Sequence, residues 1–495
     1  MSCATRLGAA SVWSQNQRVP IVSIASRTLA PGESVDPQLE SPAPTRAGLL
    51  GRISWVLIEG ARGPYASLVT LFVFSAYFAT VVIPDPVRGQ TLWSYASSIA
   101  ALLIGVGAPV VGAIADAGGR RKPWIAACVA IGFPCMALLW IATPNMNAGL
   151  GWVILGLVGA TASIEYASIF YNAMLPNIVP RRQIGLLSGL GLTCSSVSNI
   201  LVLSVYVYIW NRTGLPLFGL DPAQHVLERA VGPVAALWWL VLALPLLLFT
   251  PDSKARVSGW LNVIRSGLRN LAHTVPALRE HGNATRFLIA RMVFNEGFII
   301  MMMLTGIFAA GVLHWPASRL LVQGLISSVV AGVGGLTAAW LDRRIGSRWS
   351  TVVFVAGCLL ANVILATLTP HSVLLVEIGS APPDAGGLFP SVADKIFSAT
   401  IAASAAFVTA GFASSRALMA KLSPAGMENE FFGLYALSGT ATSFFGPLAI
   451  ALATTIFQSQ RAGVAAGVVF LVVGLGLLLR VREDERGAPL VGAAS

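Results

Sequence analysis

The chain has 495 residues, 55% of them hydrophobic and 11% charged, with a formal net charge of +11. Soluble domains carry about 25% charged residues, so this composition excludes a water-soluble globular fold and makes the bilayer the main solvent. The cations lie in short loops between apolar runs and not on one polar domain, which excludes a nucleic-acid partner and reads as orientation in a membrane.

Residues 1–60 are rich in Ser, Pro, Gly, Ala and Arg and lack the apolar core of a cleavable signal peptide, so they are expected to form a disordered cytoplasmic tail. A helix needs about 20 apolar residues to cross a membrane. Segments that qualify fall roughly at 64–83, 91–115, 123–142, 149–175, 186–210 and 232–250, and again at 287–312, 318–341, 349–369, 396–420, 432–456 and 462–480. The order predicts an all-α integral membrane protein of twelve transmembrane helices in two pseudo-symmetric six-helix bundles, over 61–250 and 287–480. Between the bundles, 251–286 places Lys254, Arg256, Arg265, Arg269, Arg279 and Arg286 at amphipathic spacing, as expected of a cytoplasmic linker on the membrane surface, and 481–495 forms a cytoplasmic C-terminal tail.

The join between the second and third spans reads Gly-Ala-Ile-Ala-Asp-Ala-Gly-Gly-Arg-Arg-Lys from Gly112 to Lys122. A looser copy, Ala338 to Arg348, sets Asp342 in the place of Asp116, followed by Arg343, Arg344 and Gly346. Two copies of one helix–loop–helix signature imply a duplicated bundle. The loops on this side also hold Arg120, Arg121, Arg181, Arg182, Arg348, Arg416 and Lys421, whereas the opposite loops hold few cations, so both termini are expected to be cytoplasmic. The longer loop near His371 to Lys395 accounts for the unequal spacing of landmarks in the two halves.

Two acids stand inside apolar runs. Glu296 is expected roughly 14 Å into the seventh span, near the bilayer midplane. An ionised carboxylate there costs at least about 3 kcal/mol, so Glu296 must face a polar cavity, find a partner or carry a proton. In the last case it can load and release that proton as access alternates. Glu165 in the fourth span is the second such acid, beside Tyr166 and followed by Tyr171 and Asn172. Asn172, Asn295, Asn199 and Gln323 can line a pathway or join helices, and Arg291 is expected to snorkel to the inner interface. A carboxylate at Asp116 or Asp342 can accept from loop arginines and from the free amides of a neighbouring helix N-terminus. Arg120 and Arg121 are the natural partners of Asp116.

Five cysteines without a C-x-x-C pair, and histidines without ligand spacing, support neither a metal site nor a disulfide framework. No phosphate-cradling Gly-x-x-x-x-Gly-Lys-Ser/Thr is present, so ATP-driven transport by this chain is not expected, and no nucleophile–base arrangement suggests an enzyme.

The loop Gly112-x-x-x-Asp116-x-x-Gly119-Arg120-Arg121 resembles the signature between spans two and three of the major facilitator superfamily. Four further strings resemble the vacuole-effluxer branch, which includes the bacterial "unknown major facilitator" proteins and autophagy-related fungal relatives: Pro64-Tyr65 leading to Val73-Phe74-Ser75-Ala76-Tyr77-Phe78; Phe170-Tyr171-Asn172-Ala173-Met174-Leu175-Pro176; Phe294-Asn295-Glu296-Gly297; and Glu430-Phe431-Phe432-Gly433-Leu434-Tyr435 with Gly446-Pro447. Glu59 and Glu296 replace that branch's usual aspartates, and Thr440 stands where a lysine is usual. The resemblance implies the major facilitator fold and a gate at the inner face built from Asp116, Gly119, Arg120, Arg121, Asp342, Arg343 and Gly346. Glu165, Asn172, Asn295 and Glu296 are expected to lie on the proton or substrate pathway.

The expected function is secondary active transport of a small polar solute by alternating access, driven by a proton gradient and needing no cofactor. Amino acids or related metabolites, moved by efflux, follow from the resemblance. A multidrug exporter of the same fold and a non-transporting scaffold or receptor are the alternatives. A monomer in the bacterial plasma membrane, with lipid and a small molecule as its partners, completes the expectation.

Overall fold

Within hydrocarbon a backbone must satisfy its own hydrogen bonds, and this apolar chain does so almost wholly as helix. The computed structural model describes residues 47–116, 120–212, 224–252, 281–378, 387–424 and 427–482. In chain order the first bundle consists of α1 (Leu49–Val82), α2 (Pro86–Asp116), α3 (Lys122–Ile141), α4 (Leu150–Ile178), α5 (Arg181–Arg212) and α6 (Val226–Phe249). The second consists of α7 (Gly282–Gly311), α8 (317–345), α9 (347–367), α10 (Val392–Leu422), α11 (428–457) and α12 (Gln460–Leu478). Between α9 and α10 a two-residue hairpin pairs β1 (Ser372–Val373) with β2 (Val376–Glu377).

α8 and α9 run together as 51 helical residues, more than twice what a bilayer needs. They are two crossings hinged at Gly346, whose φ of 83° and ψ of 156° break the helix. Only glycine takes that backbone without strain, so the second copy of the loop signature turns here on one residue.

The expected tail 1–60 is corrected at its end. Leu49–Pro64 is helical and continuous with the first crossing, so α1 starts well before the apolar run at 64. Arg52, Glu59 and Arg62 masked it in the sequence. Residues 1–46, the linker 253–280 and the tail 483–495 lie outside the described residues, and 281–286 form the start of α7.

Helix pairing repeats between the bundles. α1 packs on α5 and α6 as α7 packs on α11 and α12; α2 packs on α4 as α8 packs on α10; α3 meets α6 as α9 meets α12. The bundles meet through α1 against α7, and through α2 against α11 and α5 against α8, which exchange under the same correspondence. Large apolar side chains such as Leu103, Val106, Ile131, Leu201, Val241, Leu336 and Val469 face outward, where lipid replaces water. The most apolar stretch of α1 and of α7 is 72% buried, against 22–28% for α2, α3, α5 and α11, so those two helices form the interior.

Candidate functional site

α1 is not a regular helix. After Pro64, which lacks an amide donor, Tyr65–Phe72 widens into a π-helix and Phe78–Val82 does so again. The Val73 amide accordingly donates to the carbonyl of Leu68 (3.1 Å) and that of Ile83 to Phe78 (3.1 Å), five residues back in each case. Such widenings favour functional sites. The first turns Ser67, Leu71 and Phe72 into a cavity of about 160 Å³ between the bundles. Asn199 of α5, Met301, Met302 and Thr305 of α7, Ser327 and Ser328 of α8, and Ser404 and Thr409 of α10 complete its polar and thioether lining. Among the described residues no charged side chain lines it. The Ser67 hydroxyl bonds Asn199 Oδ1, and Asn199 Nδ2 donates to Ser328 Oγ (3.0 Å), so a polar chain crosses from one bundle to the other at the cavity. Asn199 therefore lines this cavity. Gln323 joins helices, accepting from the Ser398 hydroxyl (2.6 Å) and donating to the Ser398 carbonyl (3.2 Å).

Glu296 sits at the midpoint of α7 and is 1% exposed. α11 is interrupted between Thr440 and Phe445, so its second half starts a new helix inside the membrane with first-turn amides free of helical partners. One of these, Gly446 N–H, donates to Glu296 Oε2 at 2.8 Å. A Cβ there would stand 2.8 Å from that oxygen, so any other residue would have to displace the carboxylate. Pro447, the next residue, has no amide to satisfy. The carboxylate thus occupies a helix N-terminus, where the dipole favours negative charge. Its other oxygen, Oε1, and the Thr442 hydroxyl beside it both lack a well-formed partner. The Thr442 O–H can donate to an ionised Oε1, and a protonated Oε1 can donate to the Thr442 oxygen, so this pair can be satisfied with or without a proton on Glu296. Asn295 faces α11 as well, with Nδ2 3.4 Å from the Gly439 carbonyl.

Arg291 does not snorkel, which corrects the sequence expectation. It is 7% exposed, lies 3.7 Å over the Tyr435 ring, and donates from Nη1 to the Tyr435 carbonyl (2.7 Å) and the Ser438 hydroxyl (2.6 Å). The planar guanidinium stacks on an aromatic face where an ammonium would not. With Gly439 leaving room beside its fork, Arg291 ties α7 to α11.

A second charged group lies on α1 and α4. Arg62 Nη2 donates to Glu165 Oε1, and Glu59 and the Tyr171 hydroxyl lie beside this pair. Trp55 Nε1 to the Tyr171 carbonyl (2.8 Å) and Tyr65 to Thr161 (2.9 Å) bracket it along the two antiparallel helices. Sequence reading singled out Glu165 but missed Arg62, which an acid in mid-membrane should have demanded as counter-charge. Asn172 is exposed next to Tyr171.

At the face carrying the basic loops, the backbone amides of Arg121 and Lys122 donate to Asp252 Oδ1 (2.9 Å) and Oδ2 (3.1 Å). The chemistry of a carboxylate on a helix N-terminus, expected of the signature aspartates, is therefore performed here by Asp252 at the end of α6. Arg121 Nε donates to the Ala115 carbonyl (3.0 Å) and Arg120 is exposed. The Asp116 side chain and Gly119 lie outside the described residues. Asp342 is held by the hydroxyls of Ser414 (2.7 Å) and Ser347 (3.3 Å), both in its own bundle, while Arg343 is exposed. At the opposite face the bundles are bonded to each other: Gln90 Nε2 donates to Thr454 Oγ1 (2.7 Å) and the Gln460 carbonyl (3.1 Å), Gln460 to the Pro86 carbonyl (3.2 Å), and deeper in, Ser98 to the Phe444 carbonyl (2.9 Å). Among the described residues no group of three or more His, Cys, Asp or Glu is arranged to hold a metal ion.

Residues 86–488 match the family model described as vacuole effluxer Atg22 like. An uncharacterised MFS-type transporter, YxiO of Bacillus subtilis (strain 168), is 22% identical over 444 residues, covering 87% of this chain and 94% of that protein. Autophagy-related protein 22 of Cryptococcus neoformans var. neoformans is 26% identical over 284 residues, covering 55% of this chain and 47% of the relative, so the chain spans about half the length of that fungal protein. Among solved structures, a D-xylose–proton symporter superposes with a TM-score of 0.61 at 12% identity, covering 88% of this chain and 98% of the other. A bacterial homologue of the human lysosomal transporter Spinster, in an inward-facing and unoccupied conformation, superposes with a TM-score of 0.58 at 16% identity, covering 86% and 95%.

Proposed function

The chain belongs to the vacuole effluxer Atg22-like family and has the major facilitator fold, and on that premise we propose that it moves a small polar solute by alternating access, coupled to protons through Glu296. It is a multi-pass membrane transporter and not an enzyme. The observation that carries the coupling is the seat of Glu296: a carboxyl enclosed at the membrane centre, one oxygen on a free helix amide, the other facing a hydroxyl equally short of a partner. Ionised, the carboxylate accepts from the Gly446 amide and can accept from the Thr442 hydroxyl beside it. Protonated, the carboxyl can donate to that same hydroxyl, so the seat accepts either state, and the protonated side chain is neutral, as a carboxyl crossing between two access states must be.

The cavity supports a small solute. At about 160 Å³ it falls below the roughly 300 Å³ at which drug-sized sites begin, which favours metabolites over the bulky substrates of a multidrug exporter. Amino acids and related metabolites fit its mixture of hydroxyls and thioethers, and the family's description supports efflux as the direction. The distribution of cations supports an orientation with the basic face and both termini in the cytoplasm, and the proposal is completed by a monomer in a bacterial plasma membrane with the proton gradient as driving force.

Purified protein in liposomes, loaded with a pooled amino-acid and metabolite set under an imposed pH gradient, tests the proposal. Wild type should move at least one compound faster than empty liposomes, with flux responding to the gradient. Glu296→Gln should lose the pH-driven flux and retain solute exchange. A scaffold or receptor shows neither with either protein, and a Gln variant that still follows the gradient removes Glu296 from the coupling.

A further inference from the structure

The hairpin between α9 and α10 is built against the preferences of its own turn. Val373 pairs with Val376, so Leu374 and Leu375 are the two central turn residues, with φ of 49° and 66°. Two successive positive φ values are the mark of a type I′ turn, which asparagine and glycine fill readily. In a leucine the Cβ then crowds the following carbonyl oxygen, so both positions are strained. The root of the hairpin is secure: Val373 and Ile378 pack on the apolar core, and the Ile378 amide donates to the His371 carbonyl (2.8 Å). The tip stands clear of that core, with Leu375 92% exposed and Leu374 and Val376 exposed beside it. A single exposed leucine needs no partner. Two of them held in a strained turn, next to a valine, form an apolar tip that the packing of the bundle does not use.

One bond fixes where the tip sits. The Leu374 amide donates to Thr367 Oγ1 (3.2 Å), so the turn folds back beside the last residue of α9. Val353, Leu360 and Thr367 follow one another at a spacing of seven, which keeps them on one helix face to within about 20° per step. Val353 is 45% and Leu360 60% exposed, and among the described residues none of α9 lines the cavity, so this stripe faces lipid. From 347 to 367 the helix covers about 30 Å, the thickness of the hydrocarbon. Thr367 therefore lies where acyl chains give way to headgroups, at the end away from Arg343, Arg344 and Arg348.

We propose that the 372–377 hairpin is an interfacial lipid anchor: Leu374, Leu375 and Val376 insert among the upper acyl chains of the leaflet away from the basic loops, beside the end of α9. Apolar side chains at that depth gain from leaving water, as those of an interfacial helix do, and this gain offsets the strain of the turn. A tip in water has no such compensation. Glu377, exposed at the base of the hairpin and paired with Ser372, stays among the headgroups, so the polar and apolar ends of the hairpin match the two sides of the boundary. Such an anchor serves the protein whatever solute it moves.

The test places a nitroxide on the tip of the full-length protein in phosphatidylcholine nanodiscs. With the five native cysteines replaced, Leu375→Cys and Leu360→Cys are spin-labelled one at a time. Collisions with oxygen, which concentrates in hydrocarbon, are compared with collisions with a water-soluble nickel chelate, and the label at 360 supplies the hydrocarbon reference. At 375 oxygen should collide severalfold more often than the chelate. Because a nitroxide is itself apolar, a label on Val376→Cys is also read with and without the pair Leu374→Asn and Leu375→Gly, which suits the turn and removes both leucines. Chelate collisions at 376 should rise severalfold when the leucines are replaced. If the chelate reaches 375 at least as often as oxygen, the tip lies in water and the anchor is wrong. If neither reaches it, protein covers the tip and lipid is not its occupant. No change at 376 means that the leucines do not hold the hairpin in lipid, which overturns the proposal as well.

Discussion

One oxygen of Glu296 shows how finely a membrane-embedded carboxyl is placed. Its Oε2 reaches the Gly446 amide because position 446 has no side chain: an added Cβ would stand 2.8 Å away, inside contact distance, and Pro447 leaves the next position without a donor. Gly446→Ala must therefore push the carboxyl off the helix N-terminus. The expected loss is about 1–3 kcal/mol of stability, read as a lower midpoint of thermal unfolding in detergent. Gly476→Ala, at a helical position with open space around it, should leave the midpoint unchanged or raise it. An equal effect of the two would mean that Glu296 is not seated by the amide. Glu296 itself was legible in the sequence, because an acid inside a long apolar run carries an insertion cost that requires a reason. Arg62 and Glu59 were not. They precede the apolar window at 64, so they read as part of a polar tail, and nothing in the spacing of Glu165 reveals a partner a hundred residues earlier. Asp252 was missed for a similar reason, falling where the last span of the first bundle gives way to a basic stretch.

Helix boundaries were recovered to within several residues wherever an apolar run ends in a charged loop, as for α3, α9 and α12. What hydropathy could not supply was irregularity inside a helix. The π-widened turns of α1 and the interruption of α11 are settled by Pro64, by packing and by the side chains around them, and these are the elements that shape the cavity and present a free amide to Glu296. Gly346 is the clearest case of one residue defining an element. The sequence copy carries one residue more than the first-half signature between its aspartate and glycine, and the backbone resolves the difference by a left-handed φ at Gly346 that divides 51 helical residues into two crossings. Gly346→Ala should cost about 1–2 kcal/mol, since a Cβ opposes that φ. Gly332→Ala, in regular helix of α8 with nothing within 4 Å, should be neutral or stabilise by up to about 1 kcal/mol. Chemical unfolding of the two variants in mixed micelles measures both. If they behave alike, the crossing at 346 does not depend on the glycine and the helix reversal is carried by the loop as a whole.

At the scale of the molecule, duplication explains why the contacts that must change during transport come as a matched pair. α2 meets α11 and α5 meets α8, each helix facing the counterpart of the other pair, so rotating one bundle against the other opens one end as it closes the opposite. The structure has the end away from the basic loops joined, by Gln90 on Thr454 and on Gln460, and by Gln460 on the Pro86 carbonyl. Near the basic loops, Arg121 and Lys122 engage Asp252 within the first bundle while Asp342 engages Ser414 within the second. A transporter that alternates must break the first set, and holding that set closed should stop it. With the five native cysteines replaced, cysteines introduced by Gln90→Cys and Thr454→Cys should be joined by a short bifunctional thiol reagent. The joined protein should lose both net flux and exchange in liposomes, and each single-cysteine variant treated with the same reagent should remain active. Solute binding should survive the cross-link, because the cavity at Ser67, Asn199 and Thr305 is already formed in the joined arrangement. Transport at the uncross-linked rate through a fully joined population would mean that the bundles need not separate there, and alternating access by rocking of the two halves would have to be abandoned for this protein.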